Sequence, residues 1–237
     1  TAVKKVRLVF DLRRVNDFVL SENTTPTCVG DALARFAECT VASAFDIKAA
    51  FHCLRLTEES KQYTAFCFGP GEESLEWEYA PFGLKSCPSA FAFLLRAVLG
   101  RKLLRTAVTQ FYDDLACTRR ETDREEAFEK HLEDLDEMFE RLACHGLRLS
   151  ATKAEIMPRK LKYLGFLVQS SCLVVDPDKL KPLDFMQKPK NIKQLRSILG
   201  FFNYFRAFIR DFAAICHPLY ELTKQVNHKK IKSMWGE

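Results

Sequence analysis

The chain has 237 residues, 47% of them hydrophobic and 28% charged, with a net charge of +5. That balance suits a soluble globular protein of one or two domains with a sizeable core. Its nine cysteines are scattered singly, with no CxxC or Cys/His cluster, which argues against a zinc module and a secreted disulfide scaffold and points to a reducing, intracellular compartment.

In chain order, "RLVFDLRRVN" (7–16) reads as a strand running into a turn, and "TCVGDALARFAEC" (27–39) has helical spacing through Val29, Leu33 and Phe36. "TVASAFDI" (40–47) is an apolar strand with one acid near its end. "FHCLRLT" (51–57) is β-like. "YTAFCF" (63–68) and "LEWEYA" (75–80) flank the turn "GPGEES" and should pair as a hairpin. "SAFAFLLRAVL" (89–99) is helical, with Pro88 near its first turn. The apolar run 90–95 within it is too short for a membrane span and ends at Arg96, so no membrane partner is expected.

"AVTQF" and "LACT" are two short strands around Asp113–Asp114. Thr122 and Glu125 form a capping box. It opens a helix with apolar positions Phe128, Leu132, Leu135, Phe139 and Leu142, closed by Gly146. "KYLGFLV" (162–168) reads as one strand. A Pro- and Lys-rich link (176–190) leads to a long helical pattern over 191–213. Helices alternating with hairpin-linked strands favour an α+β fold over a doubly wound one. The start at Thr1 and the end at "MWGE" read as an excised piece of a longer chain.

Charge is segregated. Residues 1–120 hold 16 basic and 14 acidic side chains, residues 121–147 hold 3 and 10, and residues 148–237 hold 17 and 7. The basic C-terminal third suits a polyanion such as nucleic acid, or simply a solvated surface.

Asp113 and Asp114 suit a solvated hairpin turn as well as a chemical site. If the strand ending at Asp46 lies beside this hairpin, three carboxylates converge. Their repulsion is relieved by divalent cations, and two such ions can drive an in-line phosphoryl displacement.

The ordered series "RLVFDLRRVN", "AFDIKAAFHCLRL", "YAPFGLKSCPSAF", "QFYDDLACT", "GLRLSATKAE", "YLGFLV" and "LRSILGFFNYFRAFI" resembles the reverse transcriptases of retroviruses and LTR retrotransposons, the gypsy type above all. Each motif alone is weak, but seven in order are specific. The resemblance implies a right-hand polymerase. Residues 1–45 would be partial fingers with entry to the palm, 46–57 palm, 58–82 a fingers hairpin, 83–175 palm with the primer grip, and 176–237 thumb and the start of a connection. It implies an RNA-directed DNA polymerase that adds deoxynucleotides to a primer on an RNA or DNA template, using two magnesium ions or manganese in their place.

By the same resemblance, Asp46, Asp113 and Asp114 are the metal-binding carboxylates, with the Ile47 carbonyl also facing a metal. Phe51 is the aromatic gate against a 2′-hydroxyl. Arg7 contacts the triphosphate, Phe82 and Gly83 line the nucleotide pocket, and Lys153 lies near the pyrophosphate as a general acid. Tyr163, Leu164 and Gly165 form the primer grip. Arg196, Asn203, Arg206 and Arg210 track the duplex backbone. Other modules of a Pol polyprotein (RNase H, integrase, protease) are the implied partners, and a cytoplasmic virus-like particle with nuclear access the implied location. Arg13, Asn16, His52 and His131 read as structural residues.

Three features depart from the family pattern: Phe111 stands where Tyr is usual, Ala49 and Ala50 leave no second acid after Asp46, and only Lys4 and Lys5 represent the basic fingers loop. An RNA-making relative is disfavoured by Phe51. An inert nucleic-acid-binding relic stays open as the alternative.

Overall fold

The computed structural model describes residues 9–20, 28–37, 39–169 and 172–224. They form two compact units, Thr1–Leu161 with Gln169–Cys172, and Lys162–Val168 with Leu173–Glu237.

The first unit is built on an antiparallel sheet of β1 (Val41–Asp46), β2 (Val108–Phe111) and β3 (Asp114–Arg119), in the order β1-β3-β2. Central β3 is buried from Leu115 to Thr118, as expected of a strand covered on both faces. Two isolated bridges, Ala44 with Glu155 and Ile47 with Leu149, add a further edge beside β1. The core joins Phe45, Leu115 and Val108 of the sheet to Phe91, Leu95, Leu99, Leu135, Met138 and Leu142 of the helices.

Helix α1 (Arg13–Phe18) stands where the sequence pattern suggested a turn after a strand. The Asp11 carboxylate accepts from both the Arg13 backbone N–H and its guanidinium, which bends the chain into that helix. Helix α2 (Val29–Ala34) lies in the segment predicted to be helical. The β-like segment 51–57 is instead a 3-10 turn, Ala50–Cys53, entered through Ala49 at φ 54°. Beyond it Arg55 bridges to Tyr79.

The hairpin expected over 63–80 is reduced to one bridge, Phe66 with Leu75. Side chains take over the work of a ladder there. Lys61, at the end of the short α3 (Glu58–Lys61), ties Glu58 to Glu78, and Thr64 Oγ accepts from the Trp77 N–H.

Helix α4 (Cys87–Thr106) outruns its predicted span but breaks at Gly100, φ 74° and ψ 158°. The break frees carbonyls, and the Arg141 guanidinium donates to the Leu99 carbonyl at 2.8 Å. Helix α5 (Arg124–Cys144) is capped by Asp123, one residue beyond the expected Thr122, through the Glu126 N–H. Its buried face is also rotated: Phe128 and Leu132 are exposed, whereas His131 and Asp134 are buried. The sheet explains this. Ser43 Oγ lies 2.8 Å from His131 Nε2, and Arg119 grips Asp134 through two guanidinium nitrogens. Gly146, at φ 69°, ends the helix as read from the sequence.

In the second unit, the single strand expected over 162–168 is two. β4 (Leu161–Tyr163) and β5 (Phe166–Gln169) turn at Leu164–Gly165, both at positive φ, and β6 (Cys172–Val175) continues the sheet. After α6 (Pro177–Leu180), capped by Asp176, and a 3-10 turn at Lys181–Phe185, the expected long helix is also divided. α7 (Ile192–Tyr204), capped by Asn191, and α8 (Phe212–Lys224) are separated by a 3-10 turn and by Asp211 at φ 54°. Leu195, Leu199 and Cys216 form their shared core. All nine cysteines are free thiols. No helix among the described residues is long and apolar enough to cross a membrane.

Candidate active site

Antiparallel pairing sets Asp46, the last residue of β1, directly opposite Asp114, the first of β3. Residues paired across a ladder project from the same face of the sheet. Asp113 occupies the two-residue loop between β2 and β3, where Tyr112 adopts φ 54°. That bend puts both neighbouring acids at one end of the sheet, which a regular strand could not do. The loop is pinned from the other strand: the Ile47 N–H donates to the Asp113 carbonyl at 3.0 Å. Ser150 N–H donates to the Asp46 carbonyl, holding the segment that carries Lys153. Lys153 Nζ then reaches Asp46 Oδ1 at 2.9 Å.

The electrostatics follow from this geometry. Burial first, then the charges of Asp113 and Asp46, push the Asp114 carboxyl up to about 6, while Lys153 pulls the other way. The hydrogen bond to Asp46 raises the Lys153 ammonium above its ordinary value. The acids are therefore close enough to repel one another. Among the described residues, however, no three His, Cys, Asp or Glu side chains are gathered tightly enough to hold a metal ion. The donor set still suits a hard divalent cation, because carboxylate oxygens are its preferred ligands and their repulsion is what it relieves. Ile47 contributes its backbone to this end of the sheet; its side chain is buried.

Phe51 sits half-buried on the 3-10 turn four residues beyond Ile47, with its ring against Phe82 (5.8 Å, 70°) and core Phe91 (6.2 Å, 88°). Gly83 has φ 104°, which favours glycine. Sequence reasoning missed what holds this segment. Asn16 donates its side-chain amide to the Gly83 carbonyl at 2.8 Å and accepts from the Lys85 N–H at 2.8 Å. Asn16, read as a structural residue, thus clamps a loop 67 positions away, and no local pattern encodes that. Arg13 pairs with Asp11 instead. Arg7 lies outside the described residues, as do Lys4 and Lys5.

In the second unit, Tyr163 is buried, and Leu164 and Gly165 form the β4–β5 turn, with the Leu164 carbonyl accepting from Tyr204 Oη at 2.6 Å. Arg196, expected on nucleic acid, donates to the Thr223 carbonyl near the end of α8. Asn203 and Arg206 border a concavity between α7 and α8, and Arg210 is almost fully exposed beside Asp211.

An α+β unit whose antiparallel strands carry paired carboxylates at one end, with helices packed against the sheet, has the palm-and-fingers architecture of a nucleic-acid-copying polymerase. The chain belongs to the reverse transcriptase (RNA-dependent DNA polymerase) family, whose model matches residues 3–168. It is 28% identical over 228 residues to the retrovirus-related Pol polyprotein from transposon gypsy of Drosophila melanogaster, and 26% identical over 230 residues to that from transposon opus of the same fly. These matches cover 96% and 97% of this chain, which spans about a fifth of either relative's length. The foamy viral protease-reverse transcriptase, solved with double-stranded DNA, has the same fold, with a TM-score of 0.76 at 23% identity over 94% of this chain and 38% of that one. In a second solved complex, with an RNA/DNA hybrid, the TM-score is 0.71 at 24% identity, over 95% and 30%.

Proposed function

We propose that this chain is the polymerase core of an LTR-element reverse transcriptase, adding deoxynucleotides to a primer 3′ end on an RNA or DNA template. The observation that carries this reading is the pairing of Asp46 with Asp114 across β1 and β3, with Asp113 in the adjoining turn. Asp46, Asp113 and Asp114, with the Ile47 carbonyl, would hold two magnesium ions (manganese in their place), which supply Lewis-acid activation of the primer hydroxyl and charge neutralisation at the triphosphate. Lys153, beside Asp46, is placed to move off that carboxylate and to give a proton to the departing pyrophosphate.

Phe51 closes the floor of the nucleotide site against a 2′-hydroxyl, and Phe82 and Gly83 line it, with Arg7 assigned to the triphosphate. In the second unit, the Tyr163–Gly165 turn is assigned to the primer, and Asn203, Arg206 and Arg210 to the duplex backbone. Contacts of that kind position a duplex without reading its sequence. Arg196 keeps this role only if it leaves the Thr223 carbonyl. As the relatives it matches are Pol polyproteins, we assign the chain to work beside RNase H, integrase and protease modules.

The test is extension of oligo(dT) on poly(rA) with magnesium and dTTP. The parent chain should extend the primer, and Asp113→Asn should lower the rate by about a thousandfold or more. Salt-sensitive duplex binding without magnesium-dependent extension would instead support the inert, nucleic-acid-binding alternative.

A further inference from the structure

Phe51 belongs to a longer run of rings that begins at the surface segments and ends in the core. His52 lies flat on Trp77, with ring centroids 5.6 Å apart and planes 9° from parallel. The imidazole also meets Phe82 edge-on, at 4.9 Å and 84°. Phe82 in turn meets Phe51. Trp77 is itself seated by Phe10, edge-on at 5.5 Å, and its backbone N–H is held by Thr64 Oγ at 3.0 Å. The buried Trp77 indole N–H has no acceptor among the described residues. Ring packing rather than a hydrogen bond therefore fixes where the indole lies.

The consequence is mechanical. Phe51 meets the core through Phe91 and the loop through Phe82. The loop backbone is clamped by Asn16 at Gly83 and Lys85, and the Phe82 ring meets His52 edge-on. Flat and edge-on aromatic contacts are directional, so this run sets ring angle as well as distance. A discriminating surface depends on that angle, because a single hydroxyl is excluded only by a wall held to within a fraction of an ångström.

We propose that His52 is a positioning residue for nucleotide selection: stacked on Trp77 and edge-on to Phe82, it fixes the face that Phe51 presents to the sugar. The inference rests on the assignment of Phe51 as the sugar gate. His52 touches neither primer nor metal-binding carboxylate in this scheme and acts only through Phe82 and Phe51.

The experiment compares incorporation and competitive binding of dTTP and UTP on oligo(dT)/poly(rA) by the full chain and four variants. His52→Leu fills the space without a ring. His52→Phe keeps a flat ring. Trp77→Leu removes the far support, and Phe51→Ala removes the gate itself. Thermal melting accompanies each, so that loss of fold is read separately.

His52→Leu should lower the dTTP-over-UTP selectivity in kcat/KM about tenfold, with the change carried by KM. His52→Phe should restore it, and Trp77→Leu should shift it in the same direction as His52→Leu. Selectivity unchanged in a folded His52→Leu, while Phe51→Ala loses it, would overturn this inference and leave the gate standing. Selectivity unchanged in Phe51→Ala, or no binding of either nucleotide by the parent, would remove the gate and this inference with it. Equal loss in His52→Leu and His52→Phe would also overturn it, since a ring would then be beside the point.

Discussion

Lys153 supplies a cation to Asp46 before any metal arrives. Its ammonium is largely exposed while the carboxylate it meets is mostly buried, so the lysine is free to leave when a stronger charge takes its place. Removing it should therefore help a metal bind rather than hinder it. Lys153→Met is expected to tighten Mn2+ binding several-fold, read from the free Mn2+ signal by electron paramagnetic resonance; Asp46→Asn should weaken it. Asn16→Ala should cost about 1 kcal/mol in denaturant unfolding and raise the KM for dTTP, because the Gly83–Lys85 loop loses both side-chain hydrogen bonds that hold it. The three acids were legible as residues because their neighbours form an ordered motif series. Their convergence was legible only as a condition on strand adjacency, which the β1–β3 register meets. The Asn16 clamp was not legible, since its partner lies far along the chain.

At the scale of elements, existence was easier to read than phase. Helix α5 was expected from apolar periodicity, yet its inward face carries His131 and Asp134. Ser43 and Arg119 offer them partners from the sheet, and a hydrogen-bonded polar side chain can hold a buried position that periodicity assigns to a Phe or Leu. The helical pattern over 191–213 was read as one helix because nothing in it is a strong breaker. The division begins at Phe205, where α7 gives way to a 3-10 turn, and α8 starts after Asp211 takes a left-handed conformation, one that Asp tolerates better than most residues.

Helix α4 divides at Gly100, whose φ of 74° and ψ of 158° only glycine adopts without strain. A Cβ built there would stand 2.5 Å from the Arg141 guanidinium that caps the break. Gly100→Ala, strained in backbone and displacing the Arg141 guanidinium from its cap, should lower stability by about 1–2 kcal/mol in urea titration. His131 makes a second element-level expectation. Burial holds its imidazole below the ordinary 6.5, with Arg119 adding to this and Asp134 opposing it. The unfolded chain therefore gains a proton at a pH where the native chain resists one, so stability is complete above about pH 6.5 and falls as the pH drops below it. Between about pH 7.5 and about pH 5.5 the urea midpoint should fall more in the parent than in His131→Gln.

Across the whole molecule, charge divides by region. Residues 148–237 carry 17 of the 36 basic side chains and only 7 of the 31 acidic ones. Duplex affinity should accordingly be electrostatic: with three or four phosphate contacts, a rise from about 50 to about 200 mM salt should weaken it about a hundredfold. Arg206→Ala and Arg210→Ala should each flatten that salt slope by about one unit, read by fluorescence anisotropy. Arg196→Ala should act on the melting curve of α8 instead, since its guanidinium is spent on Thr223.

The β1–β3 pairing has a consequence for how such a chain can fail. Side chains alternate along a strand, so Phe45 enters the core against Phe139 while its neighbour Asp46 faces Asp114. Inserting or deleting one residue within β1 would turn the carboxylate inward and the phenyl ring outward together. A slip of register therefore disturbs the site and the core at once. Folded but silent copies of such a chain must arise by exchange of one side chain for another, never by a shift of frame along the strand.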